Sequence, residues 1–401
     1  MSKIDDLIKE LCPDGVEYFA LGDIAKSIRT GLNPRQNFRL NTSDAENFYV
    51  TVKEITTGKI KFSDKTDRVN DSALEIIQNR SRLELGDVLF SGIGTIGKVA
   101  VVDIPTDNWN CSESVFLIKP NHNKISSKFL MYILGSNVAK YQYESQSVGS
   151  TLKGVRMATL SALQVPVPPL EVQKEIVRVL DSFTELEAEL EAELEARKKQ
   201  YEYYRNTLLT FNERERVEYV QIGDICNISR GRVMSKSYLI DNAGDYPVYS
   251  SQTANNGVFG YINTYDYDKE SITWTTDGAN AGSVFYHNNE EFSITNVCGL
   301  LMPKREQVKV KYLYYILQIT LKKYVNSGMG NPKLMSNTMA KIKIPVPSLE
   351  KQKQIVSILD KFEKLTNDIS VGLPAEIEAR RKQYEYYRNK LLTFKELEHS
   401  K

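Results

Sequence analysis

A duplicated stretch constrains this 401-residue chain more than any other feature. Residues 197–211 and 380–394 are identical at 13 of 15 positions, and residues 165–183 and 344–362 are identical at 12 of 19. Internal similarity at a fixed distance marks a repeat architecture, and solenoid repeats are only about 20–45 residues long. The blocks here recur about 180 residues apart. The chain is therefore predicted to contain two duplicated domains, each followed by its own helical segment.

The repeated blocks are predicted to be helical. Pro-x-Pro at 166–168 and at 345–347 favours extended chain, after which a helix is expected from near Leu170 to Phe211 and from near Leu349 to Phe394. Apolar residues recur at steps of 3, 4 or 7, which indicates one buried stripe on a long helix. A helix of about 42 residues would span roughly 60 Å, so its natural partner is the other copy in an antiparallel coiled coil. The candidate packing and partner-docking residues on these helices are Leu186, Leu190, Leu194, Tyr201, Tyr204, Tyr384 and Tyr387.

The two helical segments differ in their middle parts. Residues 186–197 repeat the tetrapeptide LEAE, LEAE, LEAR, whereas the second copy carries four more residues and contains Gly372-Leu373-Pro374. Glycine closes helices and proline is favoured in the first turn of the next one. The second segment is therefore predicted to break there.

The variable segments 16–164 and 217–343 share few residues with each other. Short runs rich in Val, Ile, Phe and Tyr alternate with turn residues, which predicts mainly short strands, including KIKF at 59–62. One helix is expected at Ser127–Tyr143, another near Val310–Val325, and a short one at residues 3–11. The predicted fold class is α+β with mixed or antiparallel sheets. The predicted boundaries give two globular domains, 1–164 and 212–343, each followed by a helical segment, 165–211 and 344–401.

Bulk charge and cysteine content exclude several classes of protein. The net charge of +1 shows no overall basic excess that would indicate nucleic acid. The four cysteines form no CxxC pair, which argues against a zinc site or a disulfide framework and fits a reducing cytosol. The N-terminus lacks the apolar core of a signal peptide, and no run of about 18 apolar residues occurs. These features predict a cytoplasmic protein.

The segment GIGTIGKV at 92–99 matches G-x-G-x-x-G and nearly matches a P-loop. A P-loop needs a hydroxyl after its lysine to hold Mg²⁺, and Val99 has none. Both nucleotide motifs also require a following helix, whereas a β-branched run follows here. The glycines are therefore expected to shape a β-hairpin. The segment TTDGANAGSV at 275–284 occupies the equivalent place in the second variable segment and matches neither nucleotide motif. No catalytic or metal-ligating constellation is recognisable, so we expect neither catalysis nor a bound cofactor.

Loops of the variable segments carry the side chains that suit DNA. Arg, Asn and Gln form paired hydrogen bonds with guanine and adenine edges in the major groove. Residues of these types cluster at 29–37 and at 229–232, with further polar residues at 250–256. The candidate DNA-binding residues are Arg29, Asn33, Arg35, Gln36, Arg230, Arg232, Gln252 and Asn255.

The architecture resembles the specificity subunit of type I restriction-modification systems. The resemblance is carried by the Pro-x-Pro-x-Leu-Glu-x-Gln-Lys-x-Ile-Val blocks at 166–177 and 345–356, the two Gln-Tyr-Glu-Tyr-Tyr-Arg-Asn tails, and Gly-Leu-Pro-Ala-Glu-Ile at 372–377. It implies two target-recognition domains, an internal pseudo-twofold repeat, and helices packed as an antiparallel coiled coil.

The resemblance also implies a division of work. A non-catalytic subunit would bind double-stranded DNA, two modification (methyltransferase) subunits and, in the full complex, restriction subunits, with no membrane involved. S-adenosylmethionine, ATP and Mg²⁺ would be used only by those partner subunits. Two alternatives remain open from the residues alone: a stand-alone, repressor-like DNA-binding protein, and a coiled-coil interaction scaffold.

Overall fold

The computed structural model of this chain describes residues 2–35, 37–56, 58–145, 154–304, 307–326, 330–368 and 370–397. The chain forms two compact units. Unit 1 comprises Met1–Glu189 and Ile377–Lys401, and unit 2 comprises Leu190–Glu376. Both ends of the chain therefore belong to unit 1.

Unit 1 begins with the predicted short helix and continues as short strands and helices. The elements up to its last small strand are α1 (Ser2–Leu11), β1 (Tyr18–Ala20), α2 (Leu21–Ile24), β2 (Ala25–Thr30), β3 (Asn47–Val50), β4 (Arg68–Val69), α3 (Asp71–Arg80), β5 (Val88–Ser91), β6 (Val99–Val101), β7 (Trp109–Cys111), β8 (Val115–Pro120), α4 (Ser127–Leu134), α5 (Asn137–Glu144), α6 (Met157–Ser161) and β9 (Gln164–Pro166). The long helix α7 (Leu170–Leu208) follows and leads from unit 1 into unit 2.

The described residues of unit 1 form three sheets. Four antiparallel strands lie in the order β2-β8-β5-β6, a second sheet has the order β4-β3-β7 with β3 and β7 parallel, and β1 pairs with β9. The predicted mixture of antiparallel and mixed sheets is confirmed. Its main core joins the four-stranded sheet to α4 and the N-terminal part of α7, through residues such as Phe90, Phe129 and Ile176, all fully buried.

Unit 2 repeats the succession of strands in unit 1, although its helices differ in number and position. Its elements are β10 (Glu218–Gln221), α8 (Ile222–Ile225), β11 (Cys226–Arg230), α9 (Lys236–Asp241), β12 (Tyr246–Tyr249), β13 (Val258–Ile262), β14 (Ser271–Thr275), β15 (Val284–His287), β16 (Ser293–Ile294), β17 (Cys298–Pro303), α10 (Val310–Thr320), α11 (Ser336–Lys341), β18 (Lys343–Val346) and α12 (Leu349–Asn367). The final helix, α13 (Leu373–Leu391), leads back into unit 1.

The strand orders of unit 2 reproduce those of unit 1. Its four-stranded antiparallel sheet has the order β11-β17-β14-β15, its three-stranded sheet has the order β13-β12-β16 with β12 and β16 parallel, and β10 pairs with β18. The two units therefore share one topology although their variable segments share few residues. The duplication that is visible in the helical blocks includes the whole domain.

Three local predictions need correction. The single helix expected at Ser127–Tyr143 is two helices, because Gly135 ends α4 and the Ser136 hydroxyl accepts a hydrogen bond from the backbone of Ala139 at the start of α5. The run KIKF is not a strand, and Ile60 makes only an isolated bridge with Ile55. The second helical segment is not one long helix to Phe394 but consists of α12 and α13, so the predicted break at Gly372-Leu373-Pro374 is confirmed.

A buried glutamine explains part of the repeated motif. Gln173 is fully buried in the first turn of α7, and its amide nitrogen donates 2.8 Å hydrogen bonds to the carbonyl oxygens of Lys124 and Pro168. Its amide oxygen accepts from the backbone nitrogen of Ser126 at 2.9 Å. Each hydrogen bond ties the helix start to the loop before α4 or to the Pro-x-Pro segment. The side chain therefore joins the helix to its domain.

Gln352 does the same in unit 2. It is fully buried, donates to the carbonyl oxygens of Gln307 and Pro347 at 2.9 and 2.8 Å, and accepts from the backbone of Lys309 at 2.9 Å. The glutamine of each Leu-Glu-x-Gln-Lys block thus forms hydrogen bonds with three backbone groups at the same place in both copies. Its role is structural.

Truncating either glutamine is expected to destabilise its own unit. Each unpaired buried polar group costs about 1–3 kcal/mol, so Gln352→Ala should lower the free energy of unfolding by about 3 kcal/mol or more. Gln354→Ala is the matched control, because Gln354 is exposed on the same helix. Denaturant unfolding with hydrogen exchange at α10 and α12 would measure the difference. Equal stability of the two variants would contradict this role.

The helical segments pack through equivalent residues within each unit. In unit 1, Phe183 of α7 stacks on Tyr387 of α13 with ring centroids 5.5 Å apart, and Arg381 Nε donates to Glu187 Oε1 at 2.6 Å. The contact partner of Phe183 is Tyr387, and that of Glu187, further along α7, is Arg381, which lies earlier in α13. The two helices therefore run antiparallel here. In unit 2, Tyr204 of α7 stacks on Phe362 of α12 at 5.4 Å. The repeated phenylalanine and tyrosine therefore meet as a pair in both units.

Candidate nucleic-acid interface

Five chain segments converge at one side of unit 2. They are the end of β11, the residues after β12, the β14–β15 hairpin, the turn at 295–297, and the segment that contains Lys333. Arg230 Nη2 donates to Thr276 Oγ1 at 2.9 Å, and the backbone nitrogen of Asp277 donates to Ser251 Oγ at 3.3 Å. Asp277 and Lys333 form an antiparallel bridge. The loops are therefore joined through polar groups, several of them side chains.

The same backbone framework recurs in unit 1. The backbone nitrogen of Gly92 donates to Ser114 O at 2.8 Å, as that of Thr276 donates to Val297 O at 3.2 Å. Val155 N donates to Gly92 O at 2.8 Å, as Leu334 N donates to Thr276 O at 2.9 Å. These bonds establish which positions correspond in the two units. Gly92 corresponds to Thr276 and Ile93 to Asp277, so the backbone is kept while the chemistry of the loops differs.

The first set of candidate DNA-binding residues lies on the loop after β2 and next to it. Arg29 is exposed at the end of β2, and its Nη1 donates to Arg80 O at 3.1 Å. Asn33 Nδ2 donates to Glu113 Oε1, and Asn33 Oδ1 accepts from the backbone of Arg35 at 3.1 Å. The Arg35 side chain is exposed. Gln36 lies outside the described residues.

The second set is distributed over several loops of unit 2. Arg232 contacts Asp266 Oδ2 at 3.2 Å and the Tyr238 hydroxyl at 2.7 Å, so its guanidinium is engaged within the domain. Gln252 Nε2 donates to Val258 O. Asn255 is exposed and has a left-handed backbone, with φ of 48°. Of this set, Arg230 lies in the convergence of loops described above, whereas Arg232 and Gln252 are held by neighbouring segments.

Sequence reasoning missed several residues at these loops. Arg80 Nη2 lies 3.4 Å from Thr30 Oγ1, and one carboxylate oxygen of Glu113 is buried without a hydrogen-bond partner among the described residues. In unit 2, Asp277 and Lys333 join Arg230. The sequence around each of them reads only as a polar turn and gives no sign that they lie near Arg230. They do so because the strand order brings distant segments together.

The helix residues expected to pack or to bind partners have different degrees of exposure. Leu186, Leu190 and Leu194 are half-buried, as are Tyr384 and Tyr387. Tyr201 is buried, whereas 38% of Tyr204 is exposed. The tyrosines beside them, Tyr203 and Tyr386, are 66% and 62% exposed. Each copy thus places one tyrosine of the motif against its unit and leaves another in solvent.

The glycine-rich segment 92–98 connects β5 to β6, which pair as antiparallel strands. The predicted hairpin is confirmed, and the corresponding segment of unit 2 connects β14 to β15 in the same way. A strand follows instead of the helix that would bind phosphate at its N-terminus. The segment therefore lacks the framework of a dinucleotide or P-loop site.

The buried cysteines and histidine of unit 2 are un-ionised or hydrogen-bonded within the fold. Burial raises the pKa of the Cys226 and Cys298 thiols to about 12, so neither is a thiolate near neutral pH. His287 is buried, with Nε2 at 2.8 Å from Thr273 Oγ1 and Nδ1 at 2.9 Å from Glu290 Oε2. The hydrogen bond from His287 lowers the pKa of the Glu290 carboxyl. Nε2 therefore joins the end of β15 to β14, and Nδ1 joins it to the loop that follows β15.

The residues that the structure describes contain no group of three or more His, Cys, Asp or Glu side chains placed to hold a metal ion. Within the same ranges, every helix is too short or too polar to cross a bilayer.

A family model decides the identity of the duplicated fold. The model for the type I restriction modification DNA specificity domain matches this chain twice, over residues 13–196 and 214–379. The chain belongs to this family. It is a type I specificity subunit with two target-recognition domains, and it recognises DNA sequence in a host-defence system.

Individual relatives agree with this assignment. A type I specificity subunit of Mycoplasma pneumoniae is 42% identical over 242 residues, which cover 59% of this chain and 98% of the relative. A type I restriction enzyme specificity subunit of Haemophilus influenzae is 34% identical over 293 residues, which cover 68% of this chain and 73% of the relative.

Solved structures support the fold. The S subunit of a type I restriction-modification system from M. genitalium matches with a TM-score of 0.59 at 18% identity, covering 94% of this chain and 96% of that chain. A chain from a structure of type I restriction-modification complex assembly matches with a TM-score of 0.61 at 18% identity, over 95% of this chain and 98% of that one. The predicted α+β architecture of type I specificity subunits is confirmed.

Proposed function

We propose that this specificity subunit reads a bipartite site in double-stranded DNA, one half with each unit, and carries no catalytic activity itself. The observation that carries this proposal is the pair of equivalent loop frameworks with different side chains. Thr30, Gly92 and Ile93 in unit 1 correspond to Arg230, Thr276 and Asp277 in unit 2. Two domains with one backbone and different polar groups suit two different half-sites.

The proposed organisation follows the predicted boundaries. Segments 1–164 and 212–343 are the recognition domains, and segments 165–211 and 344–401 are the spacers. The candidate contacts to DNA are Arg29, Asn33, Arg35 and Gln36 in the first domain and Arg230, Arg232, Gln252 and Asn255 in the second. Exposed Arg35 and Asn255 suit direct contact, whereas Arg232 would have to release Asp266 or reach DNA with its remaining donors.

The partners are proposed to be two modification subunits and, in the full complex, restriction subunits. The helices offer them equivalent surfaces, because Tyr203 of α7 and Tyr386 of α13 are both exposed and each lies edge-on to the next tyrosine, with centroids 5.5 and 5.3 Å apart. Exposed aromatic residues are enriched at protein interfaces. S-adenosylmethionine, ATP and Mg²⁺ belong to those partners, and the complex would act on DNA in the cytoplasm.

Methylome sequencing tests the proposal. A host that carries this chain with its modification subunits should show one asymmetric methylated motif in two parts, which is absent when the gene for this chain is deleted. Tight sequence-specific binding by the isolated chain, without any methylation that depends on it, would indicate a stand-alone DNA-binding protein. Failure to bind any duplex DNA would indicate a scaffold.

Shortening the first spacer helix is expected to shorten the unspecified gap between the half-sites. Deleting Leu190–Glu193 removes one LEAE unit, about 6 Å of helix, and turns the remainder by about 40°. One base pair advances roughly 3.4 Å along the duplex, and the unchanged second spacer absorbs part of the difference. We therefore expect the methylated motif to lose one base pair from its gap while both half-sites stay the same.

The control for the spacer is deletion of Leu190 alone. Losing one residue turns the half-buried stripe by about 100°, so it should impair folding or assembly instead of resetting the gap. If the four-residue deletion leaves the methylated motif and its gap unchanged, the helix does not set the distance.

A further inference from the structure

We propose that Asp277 is a positioning residue for DNA recognition in unit 2, which holds Arg230 in the orientation that reads a guanine in the second half-site. This inference rests on the proposed function, because it takes the ligand to be duplex DNA. It goes further in naming one carboxylate, one arginine and one type of base.

The geometry ties Arg230 to the hairpin on one side. Its Nη2 donates to Thr276 Oγ1 at 2.9 Å and lies 3.6 Å from Asp277 Oδ2. The Thr276 hydroxyl in turn lies 2.8 Å from the same carboxylate oxygen. Arg230 Nε is buried without a hydrogen-bond partner among the described residues. The guanidinium is therefore held at one end of its fork by a neighbouring loop.

Asp277 has a second cation on its other side. Lys333 Nζ lies 3.7 Å from Asp277 Oδ1, and the two residues are joined by a backbone bridge. The side chains of Arg230 and Asp277 are 31% and 26% exposed, and that of Lys333 is 56% exposed. The cluster carries a net charge of +1 and is accessible from solvent.

Such a cluster is better suited to recognition than to stability. Partly exposed ion pairs stabilise a fold by only about 0–1 kcal/mol. An arginine that is already held in one conformation, however, loses less rotamer entropy when it binds. Arginine pairs in bidentate fashion with O6 and N7 of guanine, which is the commonest specific contact in the major groove. A held arginine at an open convergence of loops therefore fits a guanine edge.

The corresponding positions of unit 1 carry no such charges. Thr30 replaces Arg230, Ile93 replaces Asp277, and Gly154 replaces Lys333 as the bridge partner. The charged cluster is thus particular to the second recognition domain. Its effect should be confined to one half of the DNA motif.

A carboxylate near DNA has a second possible effect, which the test must separate. Asp277 repels phosphate, so a purely electrostatic role predicts that removing its charge strengthens binding to every duplex alike. A positioning role instead predicts a change in selectivity: removing the carboxylate lowers the preference of the protein at one base pair. The sign and position of the change therefore decide between the two.

The experiment measures binding of the chain, assembled with its modification subunits, to a library of duplexes that vary one base pair at a time. Arg230→Ala should lower the preference for one guanine by about tenfold or more. Asp277→Asn should lower the preference at the same base pair by about fivefold and leave the other half-site unchanged. Arg230→Lys should lose the same preference while keeping the salt dependence of binding, because lysine keeps the charge without the fork. Asp277→Glu keeps the negative charge and should therefore retain more of this base preference than Asp277→Asn does.

The matched control is Asp245→Asn, which removes one negative charge from an exposed aspartate of the same domain. Thermal unfolding of every variant checks that the domain is intact. A uniform gain of affinity in Asp277→Asn, equal to that in Asp245→Asn, would overturn the proposal, as would unchanged selectivity. If the wild-type complex itself shows no two-part preference, the proposed function fails instead, so the two failures are distinguishable.

Discussion

Replacing residues 217–343 with the corresponding segment of a relative is expected to change one half of the methylated motif and leave the other half intact. Each unit has its own core: Phe90 and Phe129 are fully buried in unit 1, and Trp274 and Tyr315 are fully buried in unit 2. Because the loops of unit 2 are built on its own strands, its recognition surface should be carried with the segment. The expected result is a hybrid motif, read by methylome sequencing.

The exchange has a structural requirement at its edges. The new strand at the position of β10 must pair with β18, whose residues 344–346 remain those of this chain. It must also present an apolar face to Ile344, which is fully buried. The reciprocal exchange of residues 16–164 is the matched control and should change only the other half. A change in both halves, or in neither, would show that recognition is not divided between the units.

Adding a methyl group at Gly231 is expected to disrupt the recognition loops of unit 2. Gly231 follows β11, where the chain crosses closely over the end of β16. A Cβ there would overlap the peptide carbonyl of Ile294 and lie 2.7 Å from the Ile294 side chain. Overpacking costs about 1–3 kcal/mol when side chains can yield, and a backbone carbonyl yields less. We therefore expect Gly231→Ala to destabilise unit 2 by about 3 kcal/mol or more and to abolish recognition of its half-site.

Gly31 provides the same test in unit 1. A Cβ at this position would overlap the carbonyl of Cys111 and stand 2.7 Å from Ser112 O. Gly154→Ala is the control, since the nearest atoms would be at an ordinary 3.7 Å. Hydrogen exchange and denaturant unfolding should show loss of stability in the unit that carries the substitution. Wild-type stability of Gly31→Ala and Gly231→Ala would mean that the close crossing is not required by the fold.

The repeated helical blocks were predictable because their signals are local. Pro-x-Pro followed by an apolar stripe placed the start of α7 at Leu170 and that of α12 at Leu349, as observed. Gly372 and Pro374 predicted the break between α12 and α13. The structure ends α12 earlier, at Asn367, and begins α13 directly after Gly372 with Pro374 in its first turn, where proline is favoured. The division of Ser127–Tyr143 at Gly135 was also a local signal, and the apolar periodicity on both sides obscured it.

The recognition loops were predictable only by residue type. Arg230 stood out as an arginine in a polar turn, but nothing near it in the sequence indicates Asp277 or Lys333. These residues meet because β11 and β14 both pair with β17, and because the segment around Lys333 bridges to the hairpin. Strand order is a long-range property that depends on the whole core.

By itself, the sequence determined the duplication, the α+β class, the starts of the long repeated helices and, through its motifs, the family of this protein. These properties follow from short-range periodicity and from residues whose backbone preferences act on their neighbours. Only the tertiary structure decided that both units share one loop framework, that Gln173 and Gln352 are buried anchors, and which charges surround Arg230. Such contacts depend on chain segments brought together by the completed sheets, and no local pattern records them.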